Sequence, residues 1–495
     1  VLPVYNQASL LRESIESVLA QTHPHWELIV VNDGSTDGVE AVLAEYSGRP
    51  DVRLLTQPNQ KLPKALSNGF ELARGEFWTW TSADNLMHPE QLARLVAFLR
   101  QHPDVALVYA DYLAIDDRGR PLRDPDFRPH NRRSPDAPEI HLPRSTAALN
   151  TVQDNFIGAC FLYRGWVGRL LGDYDSNLGV EDYDYWMRVN NLFKIVHLGT
   201  DELLYQYRVH DNTLNARAAE LRILERVQNL MAYERERAAF YGEPWTLLAD
   251  APTLEWLRRL PLAPHTVREW SSSSPPEQPS GKALWLIHAN SLPALAAAPP
   301  PAESPVLVWF DRESPAPYLH RLELRQVAHA AFAPDPLALA RLALFLPTVF
   351  QAAPGQSLLD LALAFANNHA FFVATRPPEV RRRALPEVFT LPGRRLHVLL
   401  QMDHFHRGGL EQVVLDVAAS LDPALFRVSL LVLGEAGPGL ARAEKAGVQV
   451  FTLPKSGREE AYRQLLAGQG VEVVNAHYSL FGAAIAAGQG AEVFV

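Results

Sequence analysis

Four polar clusters follow short apolar runs, and each offers a distinct kind of chemistry. Leu28–Val31 leads into Asn32, Asp33, Gly34, Ser35, Thr36 and Asp37. A carboxylate at a strand end can accept from a ligand ring N–H or a ribose hydroxyl, and the glycine after it lets the backbone approach closely. The same residues are also an ordinary Asp-Gly turn with a Ser or Thr cap. A later apolar run ends in Thr81, Ser82, Ala83, Asp84 and Asn85. Its acidic and amide oxygens suit a hard cation, Mg²⁺ or Mn²⁺, whose remaining ligands would come from phosphate. The plain alternative is a helix cap. Glu181, Asp182, Tyr183 and Asp184 place three carboxylates in four residues at a helix start, where the macrodipole favours them. If that helix start faces the strand ends, one of these acids can deprotonate a hydroxyl. Finally, Tyr207, Arg208, Val209 and His210 end a strand-like run with a cation and an imidazole. A histidine alone is more often structural than ligating.

The elements that must position these residues read as alternating strands and helices. Strands are expected at Leu2–Tyr5, Leu28–Asn32, Val52–Leu55, Phe77–Ser82 and Ala106–Tyr109, with helices at Leu10–Ala20, Val39–Tyr46, Pro63–Ala73 and Pro89–Arg100. Such alternation predicts an α/β fold with a mostly parallel sheet, whose ligands sit at the carboxyl ends of its strands. Asp116–Pro143 dissolves into Pro, Asp and Arg and reads as a long loop. An amphipathic helix near Ala216–Phe240 follows, then a Ser- and Pro-rich linker at Ser271–Ser280. Gly281 to about Pro392 reads as a small α/β segment without a chemical motif. Leu337–Phe350, broken by Arg341 and Pro347, reads as helix and strand rather than a membrane span. The last hundred residues hold strands at Leu396–Gln401, Val428–Leu433, Gln449–Leu453 and Glu472–Ala476, a Gly408-Gly409 turn and a helix at Leu410–Leu421. They read as a second doubly wound unit.

With 495 residues, two or three domains are expected. The division is 1–240, a helical tail and linker at 241–280, the small α/β segment at 281–393, and the second doubly wound unit at 394–495. A net charge of −10 disfavours a nucleic-acid partner. Cys160 is the single cysteine, so there is no intrachain disulfide, which suits a reducing compartment. Both ends lie inside apparent strands, so a fragment of a longer protein is expected.

In order and spacing, the N-terminal half resembles family 2 of the inverting glycosyltransferases, which have the GT-A fold. The resemblance rests on Pro3–Asn6, Ser17–Thr22, Glu27–Val31, Asp33–Asp37, Pro58-Asn59, Ala65, Asn68-Gly69, Ala73 and Gly75-Glu76, and covers about residues 1–215. It implies a nucleotide-diphospho-sugar pocket formed by Pro3, Tyr5, Asn6, Asp33, Asn59, Ala83, Asp84 and Arg208. Asp84 would be the metal-binding acid of the family's Asp-x-Asp element, with His210 near the Mg²⁺ or Mn²⁺. Asp182 would be the catalytic base, supported by Glu181. Three positions depart from the family pattern: Ser82 stands for the first Asp of Asp-x-Asp, Asn32 for a common Asp, and Lys61 for a usual glycine. The implied reaction is a single displacement with inversion, onto a glycan or lipid-linked acceptor in surface polysaccharide synthesis. A cytoplasmic location follows, with peripheral association at the inner face of the membrane. His397–His477 resembles the start of a family 4 transferase of GT-B type, without that family's donor-binding half. Two other readings stay open: a nucleotidyltransferase on a similar sheet, although no basic phosphate-grasping loop lies between Asn6 and Ser17, and a non-catalytic sugar-nucleotide binder.

Overall fold

The computed structural model describes residues 1–210 and 219–271 and, with interruptions, 281–375 and 396–494. The chain divides into two bodies, Val1–Arg381 and Arg382–Val495.

The first body opens with a parallel sheet of β1 (Leu2–Val4), β2 (Leu28–Asn32) and β3 (Val52–Thr56). Every residue of β2 is buried. That is why it reads as an unbroken apolar run: a parallel strand covered on both faces has no solvent side to alternate toward. Four strands follow in the order β10-β6-β9-β4, namely β4 (Phe77–Trp78), β6 (Val105–Tyr109), β9 (Phe161–Arg164) and β10 (Lys194–His197). The Val1 backbone nitrogen donates to Thr79 O at 2.9 Å, and Thr81 N–H donates to Val1 O at 3.0 Å. These bonds set the two sheets edge to edge. A small third sheet, β5-β11-β7-β8, comprises β5 (Leu86–Met87), β7 (Tyr112–Ile115), β8 (Glu139–Ile140) and β11 (Tyr205–Arg208).

The expected mostly parallel pattern is interrupted in the small third sheet, where β5 and β8 run antiparallel to β11 and β7, and in the sheet β10-β6-β9-β4. β9 runs antiparallel to both β6 and β4, with Phe161 opposite Tyr109. The chain leaves β6 at its carboxyl end, builds β7 and β8, and re-enters from that same end. The run expected as one strand over Phe77–Ser82 is ladder-paired only at Phe77–Trp78, because its second half turns to bond Val1.

The helix Glu181–Leu192 is fastened by buried charge. Asp184 meets Arg188 at 3.0 Å on its own helix and Arg237 at 2.6 Å on the helix Ile223–Gly242, and Arg237 also pairs with Glu234. All four side chains are buried. Asp184 is thus spent on architecture, which leaves Glu181 and Asp182 as the acids of the first turn outside that network.

A six-stranded parallel sheet completes the first body: β12 (Thr246–Ala249), β13 (Thr266–Glu269), β14 (Ala283–His288), β15 (Val306–Trp309), β16 (Ala330–Phe332) and β17 (Val349–Phe350), ordered β13-β12-β14-β15-β16-β17. It begins at Thr246, inside the segment expected as helical tail and linker. The four-residue β12 follows directly on the amphipathic helix and has too little length for a pattern of its own. Of the Ser- and Pro-rich run, 272–280 lie outside the described residues. The helix Leu358–Thr375 returns to the first sheets, where Asn368 Nδ2 donates to Leu171 O at 3.1 Å and Phe371 packs on Tyr233 at 5.2 Å. Leu247, Leu286, Leu307 and Phe365 belong to the same hydrophobic core as Val30, Leu107 and Trp186.

The second body is a parallel sheet of β18 (Leu396–Met402), β19 (Phe426–Val432), β20 (Gln449–Thr452), β21 (Val473–His477) and β22 (Glu492–Phe494), ordered β20-β19-β18-β21-β22. The order reverses beside β18, which is doubly wound topology. Gly408-Gly409 and the start of the expected helix lie outside the described residues, and 414–418 are helical. Most of Leu337–Phe350 also lies outside them, apart from β17 and a few residues before it. Among the described residues no helix is long and apolar enough to cross a membrane.

Breaking the buried pair from one side leaves an uncompensated charge, so Asp184→Ala or Arg237→Met should destabilise the first body by about 3–5 kcal/mol. Urea denaturation midpoints measure this. Arg12→Ala, which removes the exposed pair with Glu45, should leave the midpoint nearly unchanged.

Candidate active site

Asp33 stands just past β2, its N–H bonded to Val4 O at 2.9 Å. Its buried carboxylate accepts from Gln57 Nε2 at 2.7 Å, Gln60 N–H at 2.8 Å and Lys61 N–H at 2.9 Å. A carboxylate has about four lone-pair sites. Three are therefore used to hold the entry of the helix Lys61–Glu71, and one remains for a ligand. The next residue, Gly34, has φ +75°, and a Cβ there would lie 2.8 Å from Asn59 N. The turn therefore requires glycine and presses Asn59 against it. Lys61, in the position where glycine is usual, has φ +72°. Its backbone keeps the glycine-like conformation under an L side chain, at a cost of roughly 1 kcal/mol.

Asn6, with φ +53°, knits the end of β1 to this turn. Its N–H donates to Ser35 Oγ at 3.1 Å and its Oδ1 accepts from Thr36 N–H at 2.8 Å. Pro3 is buried in β1 opposite Val31 and shapes the strand, whereas Tyr5 is 49% exposed and free to meet a ligand.

Asp84 is buried beside a fully buried Ala83. Its Oδ2 receives Gln7 Nε2 at 3.0 Å and lies 3.1 Å from His210 Nε2. Its Oδ1 is shut from solvent with no hydrogen-bond donor against it among the described residues. A carboxylate oxygen in that state is costly unless something positive completes it. The set of Asp84 Oδ1, Asp84 Oδ2 and His210 fits a divalent cation that takes its remaining ligands from phosphate. Ser82 contributes no carboxylate, and its carbonyl accepts from Ser14 Oγ at 2.9 Å.

Arg208 is buried, and its guanidinium is held by protein groups. Nε donates to Asp84 O at 2.8 Å, Nη1 to Asp117 O at 3.1 Å, and Nη2 meets Glu13 at 2.5 Å. The structure thus makes Arg208 a brace behind Asp84, with most of its donors already consumed.

Asp182, in the first turn of the helix Glu181–Leu192, has both oxygens engaged. Oδ1 accepts from Tyr183 N–H at 2.8 Å and Oδ2 from Asn155 Nδ2 at 2.9 Å. Burial raises its pKa. Burial, and then the charge of Asp182, push Glu181 up to about 7. Tyr207 lies against Tyr112 and Phe127. Its phenol is raised by burial first, and the charges of both Asp84 and Asp182 reach it. Sequence reasoning did not single out Gln7, Gln57, Arg128 or Asn155. Gln7 adjoins a matched motif, but Asn155 and Arg128 lie in irregular chain with no periodicity to mark them.

A second cluster sits at the corner between β6 and β7. Ligand atoms of Asp111, His141 and Asp201 lie within 4.8 Å of one another. Asp111 is already met by His197 Nε2 at 2.8 Å, Leu142 N–H at 2.9 Å and His141 Nδ1 at 2.8 Å. Asp201 pairs with Arg144 at 3.0 Å and Arg133 at 3.1 Å. With both carboxylates so engaged, the cluster works as a tie between segments.

A carboxyl whose folded pKa is raised stabilises the fold at low pH and loses that contribution as pH rises through the folded value. Stability should therefore fall as pH rises from the ordinary 4.5 of Glu181 through about 7. Glu181→Gln should flatten that decline, as read by thermal melting across pH.

Residues 1–164 match the sequence model of the family described as "Glycosyl transferase family 2". An uncharacterized glycosyltransferase of Rickettsia typhi is 30% identical over 214 residues, 43% of this chain and 63% of that protein. A Bacillus subtilis protein named as a candidate teichuronic acid biosynthesis glycosyltransferase, TuaG, is 25% identical over 44% of this chain and 80% of its own. A crystal structure of S. aureus TarS 1-349 in complex with UDP aligns at 22% identity and a TM-score of 0.35, over 47% of this chain and 64% of that one. The chain spans less than two thirds of the length of the Rickettsia relative. The family shown is therefore that of a domain: the N-terminal part of the first body, residues 1–164, matches glycosyl transferase family 2.

Proposed function

We propose that the first body transfers a sugar from a nucleotide-diphosphate sugar to an acceptor hydroxyl with inversion, in the building of a surface polysaccharide or related glycan. One observation carries this reading. Asp84 has one buried carboxylate oxygen with no donor among the described residues, and its other oxygen lies 3.1 Å from His210 Nε2, an arrangement suited to a divalent cation and the diphosphate it would accompany. The match of residues 1–164 to a transferase family supports it, as do relatives named as glycosyltransferases.

In this mechanism Asp33 offers its remaining lone pair to the base or ribose of the nucleotide, beside Asn6, Asn59 and the exposed Tyr5. Asp84 and His210 would hold Mg²⁺ or Mn²⁺, which when bound neutralises charge on the diphosphate leaving group. Asp182 takes the proton of the acceptor hydroxyl, which attacks the anomeric carbon from the face opposite the diphosphate. Glu181, protonated to near neutral pH, keeps a second charge away from Asp182. A glycan or lipid-linked acceptor would enter beside Asp116–Pro143. The second body is proposed to be the first half of a GT-B transferase of family 4 type, a reading supported by its strand order.

Uridine, guanosine and thymidine diphosphosugars, screened for turnover with Mg²⁺ or Mn²⁺, test the assignment. Asp182→Asn should lower kcat by about 10²–10⁴-fold while nucleotide binding persists. Asp84→Asn should raise the cation concentration needed for half-maximal rate. Full turnover in Asp182→Asn would remove the proposal.

A further inference from the structure

We propose that Asn155 and Arg128 are positioning residues for Asp182, and that through them the seating of the 116–143 segment sets the orientation of the base. The proposal rests on the transferase reading above.

The geometry runs in a single line. Asn155 donates through Nδ2 to Asp182 Oδ2 at 2.9 Å, while its own Oδ1 is shut from solvent with no donor against it. Turning the amide over would put Oδ1 against the carboxylate, so Asp182 dictates the orientation and the carbonyl goes unpaired as a result. An asparagine kept only for packing would have no reason to bear that loss. Arg128 then holds Asn155 in place: Nη2 donates to Asn155 O at 2.8 Å and Nη1 to Asp154 Oδ1 at 2.5 Å. This fork grips two consecutive residues, a geometry that a lysine cannot reproduce.

Arg128 comes from the long segment after β7. Its φ is +52°, just before the single turn Pro129–Asn131. Its neighbour Phe127 stacks on Tyr207 at 5.9 Å, and Arg132 lies over Phe127 at 5.8 Å. A residue with a side chain holds that backbone conformation only where its surroundings over-determine it. Moving this segment therefore moves the fork, and with it the donor on Asp182.

The charged and titratable groups facing Asp182 are Glu181 on its own helix, Arg128 and Asn155 from the two preceding segments, Tyr174, and Tyr207 on β11. Asn155 and Arg128 both favour the ionised form of Asp182. Removing either should move the acid limb of the rate profile to higher pH. Asn155→Asp adds a like charge and should move it further.

The test uses the full chain and whichever uridine, guanosine or thymidine diphosphosugar the wild type turns over, with water as the acceptor. Asn155→Ala should lower kcat about 10–100-fold, as loss of an orienting partner does. The donor KM should stay within about two-fold, and the acid limb should rise. Arg128→Ala should act in the same direction, and Arg128→Lys should not restore the rate. The double variant should lose little more than the worse single one, because both act through one contact. If Asn155→Ala melts, Asn155→Ser gives the same reading. Wild-type kcat and an unmoved limb in Asn155→Ala or Asn155→Ser, or single losses that multiply in the double variant, would overturn the positioning role. No turnover by the wild type, or full turnover in Asp182→Asn, would instead overturn the transferase reading and this inference with it. An inactive Asp182→Asn beside an unaffected Asn155→Ala sinks only the inference.

Discussion

The site depends on a knot of charge that never touches a ligand. Asp184, Arg188, Glu234 and Arg237 lock the helix Glu181–Leu192 to the helix Ile223–Gly242 in the interior. Burying ions is expensive, and their attraction offsets the desolvation only when the geometry is good and the remaining polar atoms are met. Here the arrangement confers specificity of placement. A helix held only by apolar contacts could slide or rotate by part of a turn. One pinned through Asp184 holds Glu181 and Asp182 in a single orientation. The acid cluster that reads as a catalytic signature is thus divided by its partners into a structural member, Asp184, and the two acids to which the proposed chemistry falls.

The same division of labour runs through the cleft. Asp33 devotes three of its acceptor sites to helix entry, and Arg208 devotes its guanidinium to Asp84 O, Asp117 O and Glu13. Electrostatic preorganisation needs such scaffolding, because groups that must reorient during reaction lose much of their effect. What remains open is small and placed: one lone pair on Asp33 and one oxygen on Asp84.

The strands were legible wherever burial on both faces made them unbroken apolar runs, as with Leu28–Asn32 and Val105–Tyr109. The Asp-Gly turn was legible too, because Gly34 stands where no Cβ fits. The strand β9 was not read at all, since the four residues Phe161–Arg164 are too few to carry a pattern of their own. Arg208 illustrates a further limit: a motif marks the position, while burial decides whether its guanidinium faces ligand or protein. Asn155 and Arg128 lay in irregular chain, where only tertiary contact gives a residue its meaning. The strand Thr246–Ala249 was too short to announce the sheet it begins.

That sheet changes what counts as a unit. Lys282 donates to Phe240 O and, at 2.9 Å, to Asn367 Oδ1, and its amine lies 4.3 Å from the Phe240 ring centroid and 4.5 Å from that of Trp245. Asn368 caps carbonyls at the end of the helix Gly165–Leu171. Inheritance and mechanics therefore draw different borders on this polypeptide. The match to the family model stops at residue 164, yet the solid piece it belongs to runs on past residue 370. An excised fragment ending near residue 240 would carry a raw apolar seam and would stick to itself. The unnamed middle segment is the wall against which the recognisable part is built.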